Sequence, residues 1–164
     1  MDLGKESDSA LLATRLLLNL PCTATENLAS AEVPPQDFID SLRPISPAAF
    51  AYVGDAVYEL YVRVFYLMPP KRISAYHDQV VSCVRAEAQA HHLHLLQPYL
   101  TEVELDVLKR GRNASSKGPK RVDPEVYRQA TSLETLLGYL YLTNPLRLTE
   151  LLQQISLKNI EELD

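Results

Sequence analysis

The stretch Ser46–Leu67, SPAAFAYVGDAVYELYVRVFYL, leaves the chain few ways to fold. Ser46 can cap a helix, and Pro47 suits the first helical position, where its missing N–H costs nothing. At helical spacing Phe50, Val53, Val57, Leu60 and Val64 line one face, with Gly54 beside them. The other side carries Tyr52, Tyr58, Val62 and Tyr66, so the helix is apolar nearly all round and is expected to run through a domain centre. One narrow polar row interrupts it: Asp55, Glu59 and Arg63, four residues apart and therefore stacked. A carboxylate on a buried helix requires compensation by a base or a metal ion. Glu59 before Arg63 is also the favourable order for a plain ion pair, and Asp55 could simply bond a neighbouring helix. By itself the row leaves a structural and a catalytic reading open.

A second helix poses the same question. Asp123 can cap and Pro124 can start a helix to about Leu142, with Val126, Leu133, Leu137 and Leu140 on its apolar line. Glu134 sits in the middle of that line, and Gly138 follows one turn on. If the two helices pack, Asp55 and Glu134 can face each other, with Gly54 and Gly138 letting the backbones approach. Two close carboxylates repel, and a shared hard cation resolves the repulsion.

The remaining segments are also helical in pattern. Tyr76–Leu96 reads as one helix with Val80, Val84, Ala88, His91 and Leu95 inward. Its His91, His92 and His94 lack a supporting Cys or carboxylate and read as a solvated or partner-facing row rather than a metal site. Thr101 and Glu104 form a capping box, and the helix they open is expected to stop at Gly111. Pro145 to about Ile155 is a closing amphipathic helix. Two cysteines, Cys22 and Cys83, make neither a disulfide framework nor a zinc site, and point to a reducing, cytoplasmic setting. No run is long enough to span a membrane. Ala10–Leu20 is apolar but follows Asp2, Glu6 and Asp8, unlike a secretory or transit signal. The expected organisation is an N-terminal extension over 1–35, one all-α domain over 36–155, and a tail over 156–164.

Charge is unevenly spread. The chain carries −5 overall, yet Lys109–Arg121 holds six of its 16 basic residues and no acid. The rest carries 10 bases against 21 acids, a net of −11. Such an asymmetry calls for a polyanionic partner. Within RGRNASSKGPKR, read as an irregular loop, Arg110, Arg112, Asn113, Lys117 and Lys120 are the groups suited to phosphate and sugar.

Taken together, AYVGDAVYELYVR (51–63), LKRGRNASSK (108–117), PEVYRQATSLETLLGYLYL (124–142) and RLTELL (147–152) resemble the ribonuclease III catalytic domain, and more closely its small variant, the Mini-III ribonucleases. The resemblance spans about residues 45–155. It implies an all-helical homodimer that cuts double-stranded RNA with Mg2+ and matures the ends of large-subunit (23S) ribosomal RNA precursor, with a ribosomal protein or particle as a further candidate partner. Residue by residue, Asp55 matches the aspartate of the family's GDAV motif and Glu134 the glutamate of its later helix, making both the expected catalytic and metal-holding residues. Full-length family members carry further carboxylates where this chain has Ala51 and Thr131, departures that the Mini-III subgroup shares. Glu59 and Thr131 are candidates for supporting contacts around the metal. Two rivals are a catalytically silent domain that docks on ribosomal RNA, and an all-helical metal-dependent nucleotide pyrophosphohydrolase. The latter would cluster more acids on one helix and has no need of the 109–121 stretch.

Overall fold

The computed structural model describes residues 36–115, 118–155 and 157. The Ala10–Leu20 segment, Cys22, Lys117 and most of the 156–164 tail lie outside them. Seven α-helices follow one another: α1 (Gln36–Ser41), α2 (Pro47–Phe65), α3 (Ile73–Val84), α4 (Ala86–Leu96), α5 (Glu102–Ala114), α6 (Pro124–Thr143) and α7 (Pro145–Gln154), with a 3₁₀ turn at Gln97–Tyr99. Among the described residues there is no strand, so the fold is all-α. None of these helices is long and apolar enough to cross a membrane.

The helix starts follow from local chemistry. Ser46 Oγ accepts from Ala49 N at 3.2 Å ahead of Pro47. Asp123 Oδ1 accepts from Glu125 N and Val126 N at 2.8 and 3.2 Å ahead of Pro124. The capping box at Thr101 is complete, with Thr101 N donating to Glu104 Oε2 at 2.8 Å and Glu104 N to Thr101 Oγ1 at 3.3 Å. Each such cap satisfies donors that a helix start otherwise leaves exposed.

The hub is α6 rather than α2. It packs against α2, α4, α5 and α7, and Leu133, Leu136 and Leu137 are wholly buried. Against the expectation of a helix buried all round, α2 keeps one face open. Phe50, Ala51, Gly54, Val57, Tyr58, Tyr61, Val62 and Val64 are buried, whereas Tyr52 is 84% and Leu60 47% exposed. Apolar residues on every side do not force burial on every side when one side meets no partner among the described residues.

Two further expectations change. The helix expected over 76–96 is two helices, because Arg85 is extended (φ −64°, ψ 154°) and resets the phase. After that break Gln89, Ala90, His92, Leu93 and Leu96 turn inward, while Leu95 points out. The histidine row is accordingly split: His94 is exposed, but His92 is buried with Nδ1 2.6 Å from the Tyr58 hydroxyl. Burial and the neighbouring His91 push the His92 pKa down to about 4, so it sits in the core as a neutral ring. The other change is at Gly111, which does not end α5. It is buried mid-helix, and a Cβ there would lie 2.4 Å from Thr135 Oγ1. It is glycine because α6 comes that close.

The far end is tied by Arg147 at the start of α7. It donates to the buried Glu104 at 2.8 and 3.1 Å, to Tyr99 O at 2.6 Å and to Glu150 at 3.0 Å. Burial works to raise the Glu104 pKa, but the Arg147 guanidinium and the Thr101 amide outweigh it and hold the carboxyl below its ordinary value.

Candidate active site

Where α2 crosses α6 the two main chains touch. A Cβ on Gly54 would lie 1.8 Å from Glu134 O and 2.7 Å from Gly138 N; one on Gly138 would lie 2.0 Å from Phe50 O. Only glycine allows this approach, as the sequence suggested. Asp55 follows Gly54 directly, and Glu134 is the residue whose carbonyl Gly54 faces. The contact that joins the helices therefore also brings the two acids together.

Their electrostatics reflect it. Asp55 lies on the exposed side of α2, where partial burial and then the charge of Glu59 raise its pKa. Glu134 is half-buried; burial and then the Asp55 charge push it up to about 7, opposed by the Gln89 side chain beside it. An acid raised by burial and a like charge is a candidate place for a positive partner.

The other expected residues are placed as follows. Glu59 Oε1 takes Arg63 Nη2 at 2.5 Å and Nε at 3.1 Å, the ordinary ion pair of that spacing, while its charge still bears on Asp55. Thr131 is half-buried one turn before Glu134, its carbonyl accepting from Thr135 Oγ1 at 2.8 Å. Ala51, one turn before Asp55, is buried.

The basic stretch is irregular as expected only in its second half: α5 runs on through Ala114, and the described residues from Gly118 to Val122 form no helix. Lys109, Arg110, Arg112 and Asn113 sit on the last turns of α5, all exposed, and Lys120 and Arg121 follow on the exposed approach to α6. Gly118 fixes that approach, since a Cβ there would lie 2.5 Å from the Tyr127 ring. Arg110 is paired with Asp106 through Nε at 2.8 Å and also through Nη2, and lines a cleft of about 430 Å³ beside α1. Arg112 is paired with Glu125 at 2.8 Å and lines a different cleft of about 260 Å³, with His94 and Gln97 of the α4 end. Two residues apart on a helix, the two arginines serve different faces.

Sequence reasoning missed Gln89. It is 2% exposed and lies beside Glu134, but an inward line for Tyr76–Leu96 drawn unbroken through Arg85 leaves it out. A polar amide in register with Ala88, His92 and Leu96 is the signal that could have found it, once the break is recognised.

Among the described residues no three His, Cys, Asp or Glu side chains are grouped to hold a metal ion. The donors at the α2–α6 crossing are two carboxylates, with the buried Gln89 Oε1, which meets no hydrogen-bond donor among the described residues, beside Glu134. An all-oxygen set of this kind fits a hard divalent cation that keeps much of its own water, and does not fit zinc.

The sequence model of the Ribonuclease III domain matches residues 48–145, spanning both acids and the basic stretch. The chain belongs to the ribonuclease III family. Curated relatives called Mini-ribonuclease 3 agree. That of Thermosynechococcus vestitus is 57% identical over 68% of this chain and 74% of its own length, and that of Synechocystis sp. is 53% identical over 71% and 82%. The Mini-ribonuclease 3 of Clostridium tetani is 40% identical over 63% of this chain and 70% of its own length. A crystal structure of a Fusobacterium nucleatum protein superposes with a TM-score of 0.58 at 30% identity, covering 62% of this chain and 83% of that one. As a ribonuclease III family member the protein is an endoribonuclease, a hydrolase that binds RNA.

Proposed function

We propose that this endoribonuclease cleaves double-stranded RNA with Mg2+, in the cytoplasm and as a homodimer, and that its substrate is the paired end region of 23S ribosomal RNA precursor. The observation that carries the reading is the Asp55–Glu134 pair, brought together by the Gly54–Gly138 contact, with Glu134 raised to about 7.

Asp55 and Glu134 would hold the cation, which when bound activates water and neutralises charge on the phosphate. The chain's own residues do the rest. The main-chain contact between α2 and α6 fixes the distance over which the two carboxylates can cooperate. Asp55 is reachable from solvent, and Glu134 sits deeper beside it. Cations of the 109–121 stretch on the α4 side, Arg112 among them, position the duplex by its phosphates, so selection among sequences is mild and led by shape, because A-form RNA hides its major-groove edges. The open face of α2, with Ala48, Ala49, Tyr52, Ala56 and Leu60 exposed around Asp55, supports a two-fold dimer whose two sites each cut one strand.

The test is incubation of the protein with a ribosomal precursor stem, with Mg2+ or with EDTA, followed by mapping of the new ends. Cleavage on both strands that requires Mg2+ is expected. An intact stem bound but uncut at every Mg2+ concentration would overturn the reading in favour of a domain that only docks on ribosomal RNA.

A further inference from the structure

Gln89 is polar, 2% exposed, and set in the inward row of α4. Its Nε2 donates to Val84 O at 3.0 Å, across the break at Arg85, so the amide is anchored to the last residue of α3. The same side chain lies beside the Glu134 carboxylate, close enough to work against the rise in its pKa. Its Oε1 is buried and meets no donor among the described residues. Leaving a buried acceptor unmatched costs free energy comparable to what a hydrogen bond returns, and an apolar side chain of similar volume would avoid the cost. Packing alone therefore does not account for glutamine here.

We infer that Gln89 is a positioning residue of the cation site: anchored at Val84, it holds the Glu134 carboxylate in the orientation shared with Asp55, and its orphan Oε1 accepts a proton donor from the hydration shell of the entering cation. The anchor matters because Glu134 is otherwise a long side chain with three rotatable bonds, and a carboxylate held by an outer partner binds a metal more tightly than one that must be ordered on binding. The geometry also gives the α3–α4 break a purpose. An uninterrupted helix would keep Leu95 inward and leave Gln89 off the inward row.

This inference rests on the metal-site reading above, and the experiment separates the two. Mn2+ binding to the RNA-free protein is measured by titration calorimetry for wild type, Glu134→Gln and Gln89→Met, which keeps volume and removes the amide. The Mg2+ concentration for half-maximal cleavage is measured for wild type and Gln89→Met, together with duplex affinity in EDTA. Gln89→Met is expected to weaken Mn2+ binding and raise the Mg2+ midpoint by about tenfold or more, the usual effect of losing an outer partner. Its duplex affinity should stay within about twofold, because uniform RNA contacts are untouched. Wild-type Mn2+ affinity in Gln89→Met sinks the role of Gln89 alone. Absence of Mn2+ binding in the wild type sinks the metal site and this role with it. If Gln89→Met does not fold, the side-chain amide resonances of Gln89 in the wild type decide. They should shift during a Mg2+ titration with the midpoint of binding, and resonances that do not move overturn the inference.

Discussion

Asn at position 55 keeps the shape of Asp55 and removes the charge that a cation needs. Asp55→Asn is expected to reduce cleavage at least about a thousandfold, a loss typical of disabling a catalytic unit, while the melting temperature stays near that of the wild type. Glu134→Gln should behave alike, and the double variant should be no worse than either single one; a much larger combined loss would show that the acids act separately. The metal-free protein also has two titrations of opposite sign. Glu134, raised from 4.5 to about 7, contributes stability that is complete below pH 4.5 and disappears as pH rises to 7. His92, lowered from 6.5 to about 4, contributes stability that is complete above pH 6.5 and disappears as pH falls to 4. Each is worth on the order of 2 kcal/mol after solvent screening, so they largely offset one another between pH 4.5 and 6.5. Denaturant midpoints across that window should be nearly flat in EDTA for the wild type. They should rise with pH in Glu134→Gln and fall with pH in His92→Phe.

Among the elements, α5 carries the sharpest disagreement between pattern and structure. Glycine inside an exposed helix is a weakness, and Ala there would add about 1 kcal/mol. At Gly111 the Thr135 side chain occupies the space, its hydroxyl engaged with Thr131 O and Pro47 O, so Gly111→Ala is expected to lose about 1 kcal/mol net by urea titration. The same helix turns Arg110 toward α1 and Arg112 toward α4, the helix that presents Gln89 to Glu134. Arg112→Ala should therefore lower the salt slope of duplex binding by about 0.9, and Arg110→Ala should leave it unchanged. Equal losses would mean that the duplex reaches both faces. The caps at Ser46, Thr101 and Asp123 and the Gly54–Gly138 approach were legible because each is written in adjacent residues or in matched positions of two helices. The extension of α5 past Gly111 and the break at Arg85 were not. Both depend on what packs alongside, Thr135 in one case and the anchored Gln89 in the other, and a one-residue change of phase turns Gln89 and His92 inward, the latter out of the solvated or partner-facing row expected for it.

For the molecule as a whole, the face of α2 that meets no partner among the described residues departs from a self-sufficient monomer. Tyr52 at 84% exposure, with Leu60 and the small side chains of Ala48, Ala49 and Ala56, offers apolar surface with little to obstruct a second copy. Tyr52→Glu is expected to shift sedimentation from dimer toward monomer by at least about tenfold in dissociation constant, since two like charges would meet across a two-fold axis. Single-strand nicking should replace paired cuts in the same variant. A monomer at every concentration of the wild type would remove the dimer from the proposal.

Because α2 and α6 meet main chain to main chain at Gly54 and Gly138, no compressible side chains lie between them at that crossing to take up slack. A tolerance of this kind is mechanical rather than chemical. Any swelling of the interior that spares the helices, such as the 10–20% gain in radius of acid-loosened states, must first pull those two backbones apart. The catalyst then behaves as a switch rather than a dial: it is either at full calibration or out of gauge, with helical content no guide to which.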